Sequence, residues 1–284
     1  METIWIAGAA GQLGRELQIK LAGKADVIAT GHELDILDAA CVKAFARERG
    51  VGAIINCAAY TDVERAETDR ERCFAVNADG VRNLSEAALN CDAALVHIST
   101  DFVFDGGKRE PYRESDATAP LSVYAESKLA GEEAMRSTGC RGIIVRTSWL
   151  YSPFGKNFMK TMLRLGRERS ELGVVCDQTG SPTAADSLAE AIEAALPQIG
   201  ERRGEIFHYS GEGECSWSDF AAAIMAYSGL DCRIREIKSD EYPQKATRPK
   251  YSYLDCSLFR REFGIAREDW HSALQRNLRR LAAL

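Results

Sequence analysis

The sequence predicts an α/β protein, a doubly wound parallel sheet with a smaller α/β lobe after it. Three observations carry this expectation. Short apolar runs alternate with amphipathic stretches through the first half, and parallel strands need long, usually helical, crossovers of that kind. Three glycines, Gly8, Gly11 and Gly14, stand between the first apolar run and the first amphipathic stretch. The second half is less regular, which suits a separate lobe packed closely against the first.

The elements follow in order. Thr3–Ala7 reads as a strand and Gln12–Leu21 as a helix, with Leu13, Leu17 and Leu21 on one face. Val27–Ala29 is a second strand, and Asp38 can cap a helix running toward Gly50. Ala53–Cys57 is a third strand. Thr68-x-x-Glu71 has the capping-box pattern and predicts a long helix to about Asn90. Ala94–Ile98 is a fourth strand, Val123–Ser137 a helix and Ile143–Thr147 a fifth strand. Later helices are expected at Asn157–Arg169, Ala184–Leu196, Ser218–Tyr227 and Trp270–Leu284, and strands at Leu172–Cys176, Ile206–Tyr209 and Arg233–Ile237.

Composition narrows the function. The 284 residues are long enough for about two domains, and 45% hydrophobic with 27% charged residues is ordinary for a globular chain. The formal charge of −6 argues against nucleic acid or an anionic membrane as partner, since both need a cationic field. No apolar stretch reaches the roughly 20 residues of a membrane span. Met1–Ile6 has no basic region before its apolar run and does not read as a signal peptide. Nine scattered cysteines with no C-x-x-C suit reduced thiols, so a cytoplasmic location is expected.

Gly8-Ala9-Ala10-Gly11-Gln12-Leu13-Gly14 is a G-x-x-G-x-x-G turn between strand and helix. One glycine permits the sharp bend, and another lets a pyrophosphate approach the helix N-terminus. An ordinary glycine-rich turn is the alternative, but the strand–turn–helix context favours a dinucleotide site and a Rossmann-like fold. Residues 1–148 would form that dinucleotide-binding domain, and residues 149–284 mainly a substrate lobe, with about 180–210 returning to the first domain. Ribose recognition is less plain. Ala29-Thr30-Gly31-His32 closes the second strand with neither the acid that suits a 2′-hydroxyl nor an Arg for a 2′-phosphate. Asp35-Ile36 could bracket the adenine or simply form the turn before the Asp38 cap.

Tyr124 and Lys128 are four apart in a predicted helix and share a face. Such a pair arises easily by chance. Ser99-Thr100-Asp101 just past the fourth strand strengthens it, because ligands in open α/β sheets bind outside the carboxyl ends of the strands. Thr100, Tyr124 and Lys128 together make a proton-transfer set. Arg248-Pro249 in a polar loop could hold a diphosphate through a bidentate guanidinium or be a surface Arg.

With these motifs the chain resembles the extended short-chain dehydrogenase/reductase family, and within it the subgroup that reduces dTDP-4-dehydrorhamnose. Besides the glycine turn and the Tyr–Lys pair, the resemblance rests on Asn56–Thr61, Ser99–Gly106, Arg146–Tyr151, Asn157-Phe158, Asp177–Thr183 and Arg248-Pro249. It implies reduction of the C4 ketone of dTDP-4-dehydro-L-rhamnose to dTDP-L-rhamnose by NADPH, with NADH also used. It places Gly8, Gly11, Gln12, Leu13 and Gly14 at the pyrophosphate. Gly31, Asp35 and Ile36 fall at the adenosine end, and Ala58, Ala59, Tyr60 and Thr61 along the cofactor's middle. Tyr124 becomes the proton donor, with Lys128 on the nicotinamide ribose lowering the Tyr pKa. Thr100, Asp101, Trp149, Asn157 and Arg248 become contacts of the dTDP-sugar.

The sequence also departs from the subgroup. Phe102 stands where Tyr is frequent, and the acid that some members carry near Gly31 looks absent. Some members bind Mg²⁺ at a homodimer interface; Glu16 and Asp186 match two of the carboxylates, which is an incomplete site, and no metal ligand is assigned. Two other readings share the fold: a non-catalytic dinucleotide-binding subunit resembling the regulatory subunit of methionine adenosyltransferase, and a nucleotide-sugar epimerase or dehydratase.

Overall fold

The computed structural model describes residues 3–284. Strand β1 (Thr3–Ala7) leads through the glycine turn into α1 (Gln12–Leu21), followed by β2 (Asp26–Thr30), α2 (Ala39–Glu48) and β3 (Val51–Asn56). Short helices α3 (Val63–Ala66) and α4 (Arg70–Phe74) come next; α4 continues through a π turn at Ala75–Asp79 into α5 (Gly80–Cys91). Then come β4 (Ala94–Thr100), α6 (Val123–Thr138), β5 (Gly142–Thr147), β6 (Leu150–Tyr151) and α7 (Phe158–Glu168). The remainder is β7 (Glu171–Val175), β8 (Thr179–Gly180), β9 (Thr183–Ala184), α8 (Ala185–Ala195), β10 (Arg203–His208), β11 (Cys215–Ser216), α9 (Trp217–Ser228), β12 (Arg233–Ile237), α10 (Ser257–Phe263) and α11 (Trp270–Ala282).

Six strands form one parallel sheet in the order β10-β5-β4-β3-β1-β2. Alternate side chains point to opposite faces, and both faces are covered. Ile4, Ile6, Ile55 and Val145 pack under α1, α8 and α10, while Trp5, Ile54, Leu95 and Ile144 pack under α2, α5 and α6. That explains the near-continuous apolar runs of the sequence. The second lobe has its own core of Tyr151, Met159, Leu163, Phe220, Trp270 and Leu274, beside the parallel pair β7 and β12. Chain from the second half also completes the first: β10 pairs with β5, and α8 packs on α1.

The predicted capping box at Thr68 and Glu71 does not form. Asp62 caps α3 instead, accepting from Arg65 N, and the Thr68 hydroxyl donates to the Arg65 carbonyl at the end of that turn. Helix α4 begins after Asp69, with no side-chain cap bond. The π turn that follows presses on α6: a Cβ on Gly131 would lie 2.1 Å from the Asn77 carbonyl oxygen, so only glycine fits there. Helix α10 has no counterpart among the predicted elements. Among the described residues no helix is long and apolar enough to cross a membrane.

Candidate active site

The β1–α1 turn places its glycines for backbone reasons. Gly8 has φ +79°, and a Cβ there would lie 2.5 Å from Ala58 N; one on Gly14 would meet Ala9 Cα at 2.6 Å. Gly11 is the N-cap of α1 and supplies no side-chain cap, which leaves the first-turn N–H groups facing the cavity. These features fit a dinucleotide pyrophosphate. Gly11, Gln12, Leu13 and Gly14 line a cavity of about 560 Å³, together with Ala58, Ala59 and Thr61 from the segment after β3. Tyr60 does not line it. Its backbone N–H donates to Asn77 Oδ1 (2.8 Å), its carbonyl accepts from Asn77 Nδ2 (3.0 Å) and its hydroxyl donates to Asp69 (3.1 Å). Asn77, which sequence reasoning missed, is therefore the clamp on this segment.

The same cavity receives Thr100, Asp101, Tyr124 and Lys128. Ser122 caps α6 and starts the helix that carries Tyr124 and Lys128 one turn apart. Thr100 ends β4, and its hydroxyl donates to Asp101 Oδ1 (3.1 Å) and accepts from Phe102 N (3.2 Å). Phe102 meets the Tyr124 ring edge-on at 6.1 Å. Lys128 is buried and donates to the Ile98 carbonyl at 2.6 Å. Burial pushes Lys128 down to about 8, opposed mainly by the Glu132 carboxylate. Burial also pushes Asp101 up to about 7, opposed first by the nearby Ser252 side chain, and among the described residues its Oδ2 has no hydrogen-bond partner. The Tyr124 phenol is pushed up by burial, with the nearby Thr100 hydroxyl lowering it and Asp101 raising it. The expected lowering of Tyr124 by Lys128 is thus not what this structure shows, because the ammonium is turned onto the Ile98 carbonyl.

Trp149 enters the cavity with φ 45°, a strained value for a residue with a Cβ. Its indole stacks on Trp217 at 3.6 Å and 8°. Trp217, also missed from sequence, lines this cavity and a neighbouring one of about 210 Å³. Arg248 lies in the latter with Phe158, Gln178, Tyr242 and Gln244. Its guanidinium bonds Gln244 (2.8 Å) and pairs with Glu64 at 2.6 Å.

Some expected contacts go elsewhere. Asn157 is consumed structurally. Its Nδ2 donates to Gln12 Oε1 (2.9 Å), Ser152 O and Phe154 O, and its Oδ1 caps α7, so it ties the glycine turn to the second lobe instead of facing the cavity. Ile36 is buried in the core, and Asp35 closes its own turn through Leu37 N (3.0 Å); neither lines the cavities described. Gly31 lines a third cavity of about 490 Å³ with Arg15, Glu33 and Phe154. An acid does stand here: the Glu33 carboxylate folds back to accept from Gly31 N at 2.5 Å, which lowers its pKa. A search confined to the strand end overlooks it.

Glu16 and Asp186 come together but do not fit a divalent cation. Arg280 bridges them at 2.7 and 2.8 Å, and Arg276 pairs with Asp186 at 2.9 Å and with Glu268. The carboxylates already hold two cationic side chains of α11.

The sequence matches the family described as the RmlD substrate binding domain over residues 1–283. A dTDP-4-dehydrorhamnose reductase of Sinorhizobium fredii is 39% identical over 281 residues, 95% of each chain. Two solved structures superpose with a TM-score of 0.95. One is a dTDP-4-dehydrorhamnose reductase from Clostridium acetobutylicum, 39% identical and covering 99% of both chains. The other, from Bacillus anthracis, was solved in complex with NADP; it is 38% identical and covers 98% of this chain and 99% of its own. The chain belongs to the RmlD substrate binding domain family, alongside these dTDP-4-dehydrorhamnose reductases.

Proposed function

We propose that this protein reduces the C4 ketone of dTDP-4-dehydro-L-rhamnose to dTDP-L-rhamnose. The observation that carries the proposal is the convergence of Thr100, Tyr124 and Lys128 on the cavity that the glycine turn also enters. NADPH, when bound along Gly11–Gly14 and Ala58–Thr61, supplies the hydride. Arg15 and Glu33 face each other across the adenosine-end cavity, where a 2′-phosphate would meet the guanidinium and a 2′-hydroxyl the carboxylate. Lys128 holds the nicotinamide ribose.

The sugar lies between Thr100 and Trp149, with its carbonyl oxygen toward the Tyr124 hydroxyl. A ketone that gains a hydride becomes an alkoxide and must take a proton as it forms. Tyr124 gives that proton, with the Thr100 hydroxyl beside it in the same cavity. Asp101 binds a sugar hydroxyl through its free oxygen. The nucleotide extends past Trp217 toward Arg248, which bonds the diphosphate with the edge that Glu64 leaves open.

The test is NADPH oxidation followed by absorbance with dTDP-4-dehydro-L-rhamnose as substrate, and the product identified by NMR. Production of dTDP-L-rhamnose is expected. Tight NADPH binding with no turnover of any 4-keto nucleotide sugar would overturn the proposal in favour of a regulatory dinucleotide-binding protein.

A further inference from the structure

Behind the cavity wall lies a buried ion pair that the proposed chemistry does not use. Glu132 stands one turn beyond Lys128 on α6 and Arg146 on β5, and each side chain is 2% exposed. The guanidinium is bidentate, Nε to Oε1 at 2.8 Å and Nη2 to Oε2 at 2.7 Å. The Ser99 hydroxyl donates to the same Oε1 at 2.5 Å. Ser99 lies opposite Arg146 in the β4–β5 register and immediately precedes Thr100. One carboxylate therefore joins the three elements that present Thr100, Lys128 and the segment leading to Trp149. Packing alone gives no reason for it, since a buried ion pair is often no more stabilising than apolar residues of the same volume.

We infer that Glu132 is a positioning residue for the reaction: through Ser99 and Arg146 it fixes α6 against the ends of β4 and β5, and it sets its negative charge against the ammonium of Lys128. This rests on the proposed reduction only for its effect on rate. The titratable groups beside Lys128 are Cys57 after β3, Cys73 on α4, His97 on β4 and Glu132 on α6, with Tyr124 in the same cavity and Arg146 behind Glu132. Burial raises both thiols and keeps His97 neutral, and Glu132 is the one carboxylic acid among them, bidentate to Arg146. Its carboxylate offsets the desolvation of the ammonium.

The test follows the Lys128 titration by NMR with 13C-labelled lysine, assigned with Lys128→Met, and records pH–rate profiles beside it. In Glu132→Gln the Lys128 midpoint should fall by about one unit or more, a tenfold loss of proton affinity. The alkaline limb of kcat should move with it, and kcat should drop at least tenfold, while the sugar KM stays within threefold. Glu132→Asp restores the charge and should return the midpoint to its wild-type value. Because Glu132→Gln leaves a guanidinium buried without a partner, the fold is checked by circular dichroism. If it fails to fold, Glu132→Gln/Arg146→Met carries the same expectation of a lowered midpoint. An unmoved midpoint in either folded variant overturns the inference and leaves Glu132 a packing residue. A wild-type protein that turns over no sugar would refute the proposed function alone, since the titration needs no turnover.

Discussion

Replacing Asp101 by Asn should stabilise this protein by an amount that grows with pH. The side chain is buried, Thr100 bonds Oδ1 at 3.1 Å, and Oδ2 has no partner. Burial raises the carboxyl from 3.8 to about 7. Above pH 3.8 the unfolded chain releases this proton, whereas the native protein holds it until about pH 7. The unfolded state therefore binds fewer protons in that window, and stability falls as pH rises through it. At 1.36 kcal/mol per unit, the penalty is about 1.6 kcal/mol at pH 5 and about 4 kcal/mol at pH 8 and above. Asn is neutral throughout and escapes it, and a lost or weakened hydrogen bond subtracts about 1 kcal/mol at every pH. The gap between variant and wild type should thus widen by about 2.7 kcal/mol from pH 5 to pH 8. With an unfolding entropy of about 0.6 kcal/mol per kelvin for a chain of this length, that is roughly 4 °C in Tm. Scanning calorimetry at both pH values measures it. A gap that is the same at pH 5 and pH 8 would refute the reasoning, because Asp101 would then be ionised in the native state without penalty.

Tyr124→Phe keeps the ring and loses the hydroxyl. It should lower kcat by about 10²–10⁴-fold while NADPH Kd stays within threefold; retention of more than a tenth of kcat, with a deuteride isotope effect showing chemistry to be rate-limiting, would remove Tyr124 as the acid. Trp149→Ala should raise the sugar KM about tenfold or more and leave NADPH Kd unchanged, because the proposed sugar position lies against the stacked indoles. An unaltered KM and kcat would assign Trp149 to packing against Trp217. Arg15→Ala should lower kcat/KM with NADPH about tenfold and with NADH less than threefold; equal losses with both cofactors would place the guanidinium away from the 2′-phosphate.

What could be read from sequence alone was local. The strand, the glycine turn and the helix after it are contiguous from Thr3 to Leu21, and backbone sterics alone demand the glycines. Tyr124 and Lys128 are visible because helical periodicity places residues four apart on one face, and Thr100 because it ends a strand. The missed residues act across the fold. Asn77 reaches Tyr60 from a π turn that no periodicity announces, and Trp217 reaches Trp149 from the second lobe. Glu33 is local, but its carboxylate meets Gly31 only because the chain after the strand folds back. Asn157 misleads for the opposite reason: its place in a motif is plain, yet three contacts donated by its amide nitrogen and the helix-cap bond accepted by its amide oxygen occupy the side chain within the protein. The Thr68 pattern fails because Asp62 already starts a helix upstream, and Thr68 falls at that helix's end.

A π turn is a helix with one residue more than its ladder needs. Deleting one residue from Ala75–Asp79 would let α4 and α5 merge into a regular α-helix, a change that looks harmless by helix propensity. The extra residue is absorbed inside the wide turn, so the halves on either side would keep their directions, but residues within the turn would move by up to one helical position, an advance of about 100°. Asn77 would swing away from the Tyr60 backbone and from Ser127 on α6, to which it donates at 2.9 Å. The Asn77 carbonyl would leave the hollow that Gly131 provides. Helix length is usually a free variable in α/β proteins, trimmed or extended at the far end of a loop. In this chain it is fixed from within, and an alignment gap in this helix would mark a rearranged Tyr60 segment long before Thr100, Tyr124 or Lys128 differed.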